Sequence, residues 1–210
     1  MVILAVPVSA ILKLAPKIAR IVGPDCIISD VGSTKQEIVT KLDRLFPCYV
    51  GAHPMAGSEK RGIANSHQEI FKHSICILTP TAGTNKQALS KIKKLWQCLG
   101  AKVIVMSSCS HDRALSFVSH LPHIAAFSLI NAVPSQCLKL ASSGFKDTTR
   151  IAASDSEIWS DIFLTNRRNI LAAIAAIQRN LAAIKKAIAS GDSRSLNKIL
   201  KTAKNKRDSL

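Results

Sequence analysis

Apolar and polar positions follow two different patterns along this chain. Up to residue 106, short continuous apolar runs alternate with stretches in which apolar residues recur every three or four positions. The runs predict strands at 2–7, 26–31, 49–52, 74–79 and 102–106, and the spaced stretches predict helices at 8–22, 35–45 and 86–98. Buried strands that alternate with helices are typical of a parallel or mixed sheet with covering helices. The first half is therefore predicted to be α/β.

Beyond residue 107 the strand patterns end and only helical spacing remains. The segment Ser110-His111-Asp112 is predicted to cap a long helix that runs towards residue 131. Another helix begins near Asn166, and Gly191 is predicted to end it. Its apolar residues are spaced by four and three positions in turn, as a heptad seam: Ile170, Ile174, Ile177, Leu181, Ile184 and Ile188. Such a seam is typical either of a core helix or of a helix packed between subunits.

These patterns predict two domains, an α/β domain at 1–108 followed by an all-α domain at 109–210. Six cysteines stand singly at 26, 48, 76, 98, 109 and 137. Without a CxxC pair, they predict reduced thiols in an intracellular protein. Zinc-ligand spacing, HExxH and P-loop motifs are also absent from the sequence, so we expect no metal. No apolar run reaches the ~20 residues that span a bilayer, so we expect no membrane partner.

The net charge of +16 raises the question of a nucleic-acid partner. Residues 1–105 carry 14 Lys and Arg against 6 Asp and Glu, and residues 106–210 carry 15 against 7, so each half has an excess of +8. A nucleic-acid site concentrates its charge and adds aromatic side chains for stacking, and aromatic residues make up only 4% of this chain. We therefore expect anionic small molecules, and not nucleic acid, as partners.

Four short segments carry residues suited to chemistry. They are Ile27–Lys35, Gly51–Ile63 (GAHPMAGSEKRGI), Ser119–His123 (SHLPH) and Gly144–Arg150 (GFKDTTR). His53 follows a predicted strand, where α/β proteins keep their active sites, and a neutral imidazole suits proton abstraction near pH 7. Arg150 offers a guanidinium fork for a carboxylate. Each residue also has a plain structural alternative, for instance a helix cap for Ser33 and core packing for Trp159.

Together these four segments resemble the prephenate and arogenate dehydrogenases of tyrosine biosynthesis. The resemblance implies a partial Rossmann-like nucleotide-binding domain followed by a helical dimerisation domain. It implies an oxidative decarboxylation in which prephenate becomes 4-hydroxyphenylpyruvate and hydride passes to NAD, with NADP possible. It also implies a cytoplasmic homodimer.

The resemblance assigns a role to each candidate residue. It implies that His53 is the catalytic base and that Ser33 bonds to the same site. The residues expected at the substrate are Arg150, oriented by Asp147, then His123, Glu59 and Trp159. The residues expected beside the cofactor are Ala5, Val6, Pro7, Val31 and Gly32.

The sequence departs from the family pattern at one motif. The 210 residues contain no GxGxxG turn, so the chain looks like a family member without its first βαβ portion. Two alternatives stay open: an arogenate dehydrogenase of the same fold, and a non-catalytic remnant that only dimerises or binds substrate. Because no carboxylate stands within Ser119–His123 to meet the ammonium of arogenate, prephenate is the expected substrate.

Overall fold

A computed structural model describes residues 1–57, 67 and 69–210. In this part of the chain the sheet has five strands in sequence order. They are β1 (Val2–Leu4), β2 (Ile28–Asp30), β3 (Tyr49–Pro54), β4 (Ile75–Thr79) and β5 (Lys102–Val105). Strands β1, β2 and β3 are parallel, β4 is antiparallel to β3, and β5 is parallel to β4. The prediction of a mixed sheet is confirmed.

Helices cover the sheet and then make up the rest of the chain. Those described are α1 (Val8–Ile18), α2 (Gln36–Leu45), α3 (Lys86–Cys98), α4 (Ser108–Leu115), α5 (Leu121–Ala132), α6 (Ser143–Thr149), α7 (Ser156–Thr165), α8 (Arg167–Ala189) and α9 (Ser193–Asp208). A π-helical segment, Ser116–His120, joins α4 to α5, and two 3₁₀ turns lie at Ser135–Leu140 and Arg150–Ala153. The predicted change from α/β to all-helical structure is confirmed.

Two apolar cores hold the sheet between its helices. The neighbours Tyr49 and Val50 of β3 belong to different cores, because successive strand residues face opposite sides of a sheet. One core contains Ile11 of α1 and Leu42 of α2, and the other contains Ile92 of α3. Both faces of the sheet are therefore covered, which explains why its strands read as continuous apolar runs.

Two predicted boundaries are wrong near the carboxyl ends of the strands. Strand β1 ends at Leu4, and residues 5–7 leave the sheet to begin α1, because Pro7 has no N–H for a ladder bond. Strand β3 is longer than predicted and includes His53, which pairs with Ile77 of β4. The backbone of His53 is thus held by two strands and not by a turn.

The long helical run Ser108–Ala132 is capped by Ser107, whose hydroxyl accepts the N–H of Ser110 at 3.1 Å. The prediction that Ser110-His111-Asp112 caps this helix is therefore wrong. By length and hydropathy alone the run could cross a bilayer. However, His111 and Asp112 are buried and bond to residues of β3 and α2, so the run is part of the fold around the sheet.

The chain forms two compact units, Met1–Ile170 and Leu171–Leu210. The domain boundary expected near residue 108 stays a prediction. Helix α8 ends at Ala189, two residues before the predicted stop at Gly191, whose φ of 65° lets the Asp192 N–H reach the Ala187 carbonyl at 3.0 Å. Along its heptad seam, Leu181 is 57% exposed and Ile188 is 63% exposed. An apolar seam with such exposure is unusual for an ordinary core helix.

Candidate active site

A buried chain of three side chains links β3 to α4. His53 is 8% exposed, and its Nδ1 lies 2.8 Å from Nε2 of His111. Nδ1 of His111 in turn lies 2.7 Å from Oδ1 of Asp112. His53, the predicted catalytic base, therefore has two partners behind it that sequence reasoning did not assign to this role.

Asp112 is fixed by the first turn of α2. Its two carboxylate oxygens accept the backbone N–H groups of Lys35 at 2.7 Å and Gln36 at 2.9 Å. The amino end of a helix carries partial positive charge, so it attracts this carboxylate. Asn166 also donates its amide to the Asp112 carbonyl at 2.8 Å. Ser33 therefore does not cap α2, and in the described residues its hydroxyl has no hydrogen-bond partner.

Burial keeps His53 and His111 neutral at pH 7. Burial lowers the pKa of His53 well below its usual value, and positive charge at His111 and Lys35 would lower it further. Burial also lowers the pKa of His111, although the hydrogen bond to Asp112 opposes that shift. A neutral His53 has the protonation state that a general base requires.

A second buried cluster supports the turn after β2. Lys35 forms an ion pair with Asp30, and both side chains are fully buried. The Tyr49 hydroxyl and the Gly32 N–H donate to the same carboxylate at 2.7 and 2.9 Å. A Cβ on Gly32 would come within 2.6 Å of the Ile38 side chain, so the close packing of this turn favours glycine. Burial lowers the pKa of Lys35, and the Asp30 charge opposes that shift.

Two cavities meet at the carboxyl ends of β1 and β2, and Ala5, Val31 and Ser33 line both of them. The larger, of about 420 Å³, is also lined by His53 and by apolar side chains such as Trp96. The smaller cavity has a volume of about 220 Å³. It is lined by all five residues expected beside the cofactor, Ala5, Val6, Pro7, Val31 and Gly32. The structure thus brings these residues together with His53 and Ser33.

Helix α7 closes the smaller cavity with residues that the sequence did not indicate. Ile158, Asp161 and Ile162 line it. Asp161 accepts the backbone N–H of Ser9 at 2.9 Å, at the amino end of α1. The hydroxyls of Thr34 and Thr165 lie 2.9 Å apart beside it. No local motif distinguishes Asp161 from a surface residue, because its partner is 152 positions away.

The π segment and α5 present two histidines to Trp159 of α7. The ring of His123 stacks on Trp159 with centroids 3.5 Å apart, and its Nδ1 donates to the Ser119 carbonyl at 2.9 Å. His120 is buried, and its Nδ1 accepts from the Asn166 amide at 3.1 Å. Burial lowers the pKa of His120 to about 4, so it serves as a neutral core histidine. Of these two histidines, His123 is the one that is half-buried.

Two remaining candidates, Asp147 and Arg150, lie in elements that contact α5. Helix α5 packs against α6, which carries Asp147, and against the 3₁₀ turn that begins at Arg150. Both side chains are exposed, and the predicted orienting pair between them stays a prediction. Glu59 lies outside the described residues. Within the part that the structure describes, no cluster of three or more metal-binding side chains occurs.

Comparison with known proteins gives the family. Residues 1–105 match the nucleotide-binding domain of prephenate dehydrogenase, and residues 107–202 match its dimerization domain. The chain belongs to the prephenate dehydrogenase family. The resemblance seen in the motifs is therefore confirmed, together with the partial Rossmann-like and helical fold class.

Individual relatives agree with the family assignment. Prephenate dehydrogenase of Bacillus subtilis is 38% identical over 100% of this chain, and cyclohexadienyl dehydrogenase of Zymomonas mobilis is 35% identical over 91% of it. The crystal structure of A. aeolicus prephenate dehydrogenase with hydroxyphenyl propionate and NAD+ superposes with a TM-score of 0.92. It is 36% identical, and the match covers 99% of this chain and 75% of that one. The chain spans 59% of the B. subtilis protein and 69% of the Z. mobilis protein.

Proposed function

We propose that this chain provides the general base and the substrate site of a prephenate dehydrogenase. The reaction is the oxidative decarboxylation of prephenate to 4-hydroxyphenylpyruvate with transfer of hydride to NAD+, or to NADP+ as the alternative. The observation that carries the proposal is His53: it is neutral, buried and backed by His111, and it lines the cavity at the carboxyl ends of β1 and β2.

In this proposal His53 first removes a proton from the substrate and later returns it to the product. Its imidazole takes the proton of the substrate's ring hydroxyl while the ring carbon that carries this hydroxyl loses hydride. The C–C bond to the ring carboxylate then breaks, carbon dioxide leaves, and its electron pair makes the ring aromatic. The protonated His53 returns its proton to the resulting phenolate oxygen. Atoms and charges balance, because prephenate loses carbon dioxide and hydride and no net proton.

The lining of the smaller cavity supports the proposed binding of the dinucleotide cofactor. The nicotinamide of NAD+ is a flat, positively charged ring with one carboxamide, and the cavity is apolar apart from Ser33 and Asp161. Ala5, Val6, Pro7, Val31 and Gly32 would hold that end of the dinucleotide. When bound, the dinucleotide supplies the hydride acceptor. The pyrophosphate is normally held by a glycine-rich turn, and none occurs within these 210 residues.

Charge favours prephenate over arogenate. Prephenate carries two carboxylates and no ammonium, so it matches a site with His123 and Arg150. An arogenate site would benefit from a carboxylate near the ammonium, and the segment Ser119–His123 has none. The family relatives and the base at His53 also favour a catalytic protein over a non-catalytic remnant.

Binding of prephenate should depend on Arg150. Replacing Arg150 with glutamine removes the bidentate partner of one carboxylate, and we expect affinity to fall at least about tenfold, since a charged hydrogen bond contributes about 1.5–3 kcal/mol. Isothermal titration calorimetry with prephenate measures this directly. Lys146→Gln is the matched control, because it removes one exposed positive charge from the same GFKDTTR segment. Equal losses in both variants would mean that only net charge attracts the substrate, and unchanged binding in both would reject the site.

We also propose that the protein is a cytoplasmic homodimer whose interface includes the α8 seam. Leu181→Asp should convert the dimer to monomer in sedimentation, because it places a charge on an exposed seam residue. Ala172→Asp is the control: it adds the same charge to the same helix on the side opposite the seam. The interface assignment fails if the wild-type protein is monomeric at micromolar concentration or if both variants stay dimeric.

A further inference from the structure

We propose that His111 is a positioning residue that holds His53 in the one tautomer able to act as a base. The inference rests on the proposed function, in which His53 abstracts the substrate proton. It assigns a role to a buried histidine that does not face either cavity.

Asp112 is the residue at which the buried chain of three side chains ends. Its oxygens accept the N–H groups of Lys35 and Gln36 at the amino end of α2, and an ionised carboxylate can only accept hydrogen bonds. The 2.7 Å contact between Asp112 Oδ1 and His111 Nδ1 therefore requires the hydrogen to be on His111. Neutral His111 carries one ring hydrogen, so its Nε2 is left with a lone pair.

The second contact then determines His53. His111 Nε2 can only accept, so the hydrogen in the 2.8 Å contact must belong to Nδ1 of His53. A neutral His53 with hydrogen on Nδ1 has an unprotonated Nε2. That nitrogen is the one left to accept a proton from a substrate hydroxyl. With the opposite tautomer, His53 would present an N–H to the substrate and could not act as the base.

The surrounding charges are consistent with this arrangement. The charged and titratable groups that act on the two rings are Asp112 of α4, Lys35 directly before α2, Asp30 of β2 and His120 of the π segment. Cys76 of β4 lies against the backbone of His53. Burial raises the pKa of Cys76 to about 12, so its thiol is neutral, and Lys35 is paired with Asp30. Asp112 is the carboxylate bonded to His111, and through that ring it can stabilise the positive charge that develops on His53 during proton abstraction.

Two variants separate positioning from packing. His111→Gln keeps a carbonyl oxygen that can accept from His53 Nδ1, whereas His111→Leu fills the space and removes the acceptor. Nitrogen NMR of the histidine-labelled chain at neutral pH reports the tautomer, and His53→Asn identifies the His53 signals by their loss. We expect the Nδ1–H form of His53 in the wild type and in His111→Gln, and a shift to the Nε2–H form in His111→Leu.

Steady-state kinetics provide a second readout. His111→Leu should lower kcat by about 10²-fold with KM within about twofold, and His111→Gln should recover most of kcat, because misplacement of a catalytic group costs about that much. A wild-type His53 in the Nε2–H form would overturn the proposal even if His111→Leu does not fold. An unchanged tautomer in a folded His111→Leu would overturn it too. If the tautomers behave as expected but prephenate is not converted, the proposed substrate fails and the positioning role stands.

Discussion

Replacing His53 with asparagine should lower kcat by about 10²–10⁴-fold and leave KM for prephenate nearly unchanged. Asparagine has no nitrogen that can take a proton at neutral pH, but it approximates the volume of the ring and can still donate to His111 Nε2. The substrate carboxylates are expected to bind elsewhere, at Arg150 and His123, so affinity should survive. Steady-state rates with saturating NAD+ measure the effect.

The control for this variant is His73→Asn. His73 is exposed, and its φ of 64° suits asparagine, so the substitution should not disturb the fold. We expect its kcat to match the wild type. Near-wild-type turnover in His53→Asn would rule out the base role, and a large rise in KM with unchanged kcat would move His53 to substrate binding.

The second large effect concerns stability and does not depend on any substrate. Replacing Asp30 with asparagine should lower the free energy of unfolding by about 3–5 kcal/mol. The variant leaves the Lys35 ammonium fully buried without its counter-ion, and Tyr49 loses a charged acceptor. Lys35 must then stay charged without a partner or lose its proton, and either outcome is costly in the interior. Urea unfolding followed by circular dichroism measures the loss.

Two further variants make this test specific. Glu69→Gln breaks an exposed ion pair, in which Oε1 of Glu69 lies 2.7 Å from Nζ of Lys72 and both side chains are more than half exposed. This variant should lower the free energy of unfolding by less than about 1 kcal/mol. The double variant Asp30→Asn with Lys35→Met removes both charges and should recover much of the lost stability. A single-variant loss below about 1 kcal/mol would show that the buried pair does not anchor the turn after β2.

The periodicity of the sequence was sufficient to predict the α/β-to-helical organisation, because strand and helix periods depend on neighbouring residues. It could not predict that β3 extends through His53. That extension depends on antiparallel pairing with β4, which begins more than twenty positions later along the chain. Pairing between distant segments leaves little trace in a local pattern.

The same difference between local patterns and long-range contacts explains which site residues the sequence could predict. His53, Ser33 and the predicted cofactor residues stand in recognisable motifs, and the structure brings them to one edge of the sheet. Asp112 was assigned to its own helix because capping motifs are local, yet it caps α2, with its partner Lys35 lying 77 positions away. Asp161 had no motif at all. The dimer seam stays a prediction. It is supported by the exposure of two of its apolar residues, Leu181 and Ile188.

The most direct measurement of the central claim is turnover by the protein with NAD+ and either prephenate or arogenate, recording reduced cofactor and released carbon dioxide together. The account predicts one carbon dioxide for each reduced cofactor, and a higher kcat/KM for prephenate than for arogenate. A higher kcat/KM for arogenate would contradict the charge argument for His123 and Arg150. Cofactor reduction without carbon dioxide, or no reaction with either substrate, would contradict the proposed function itself.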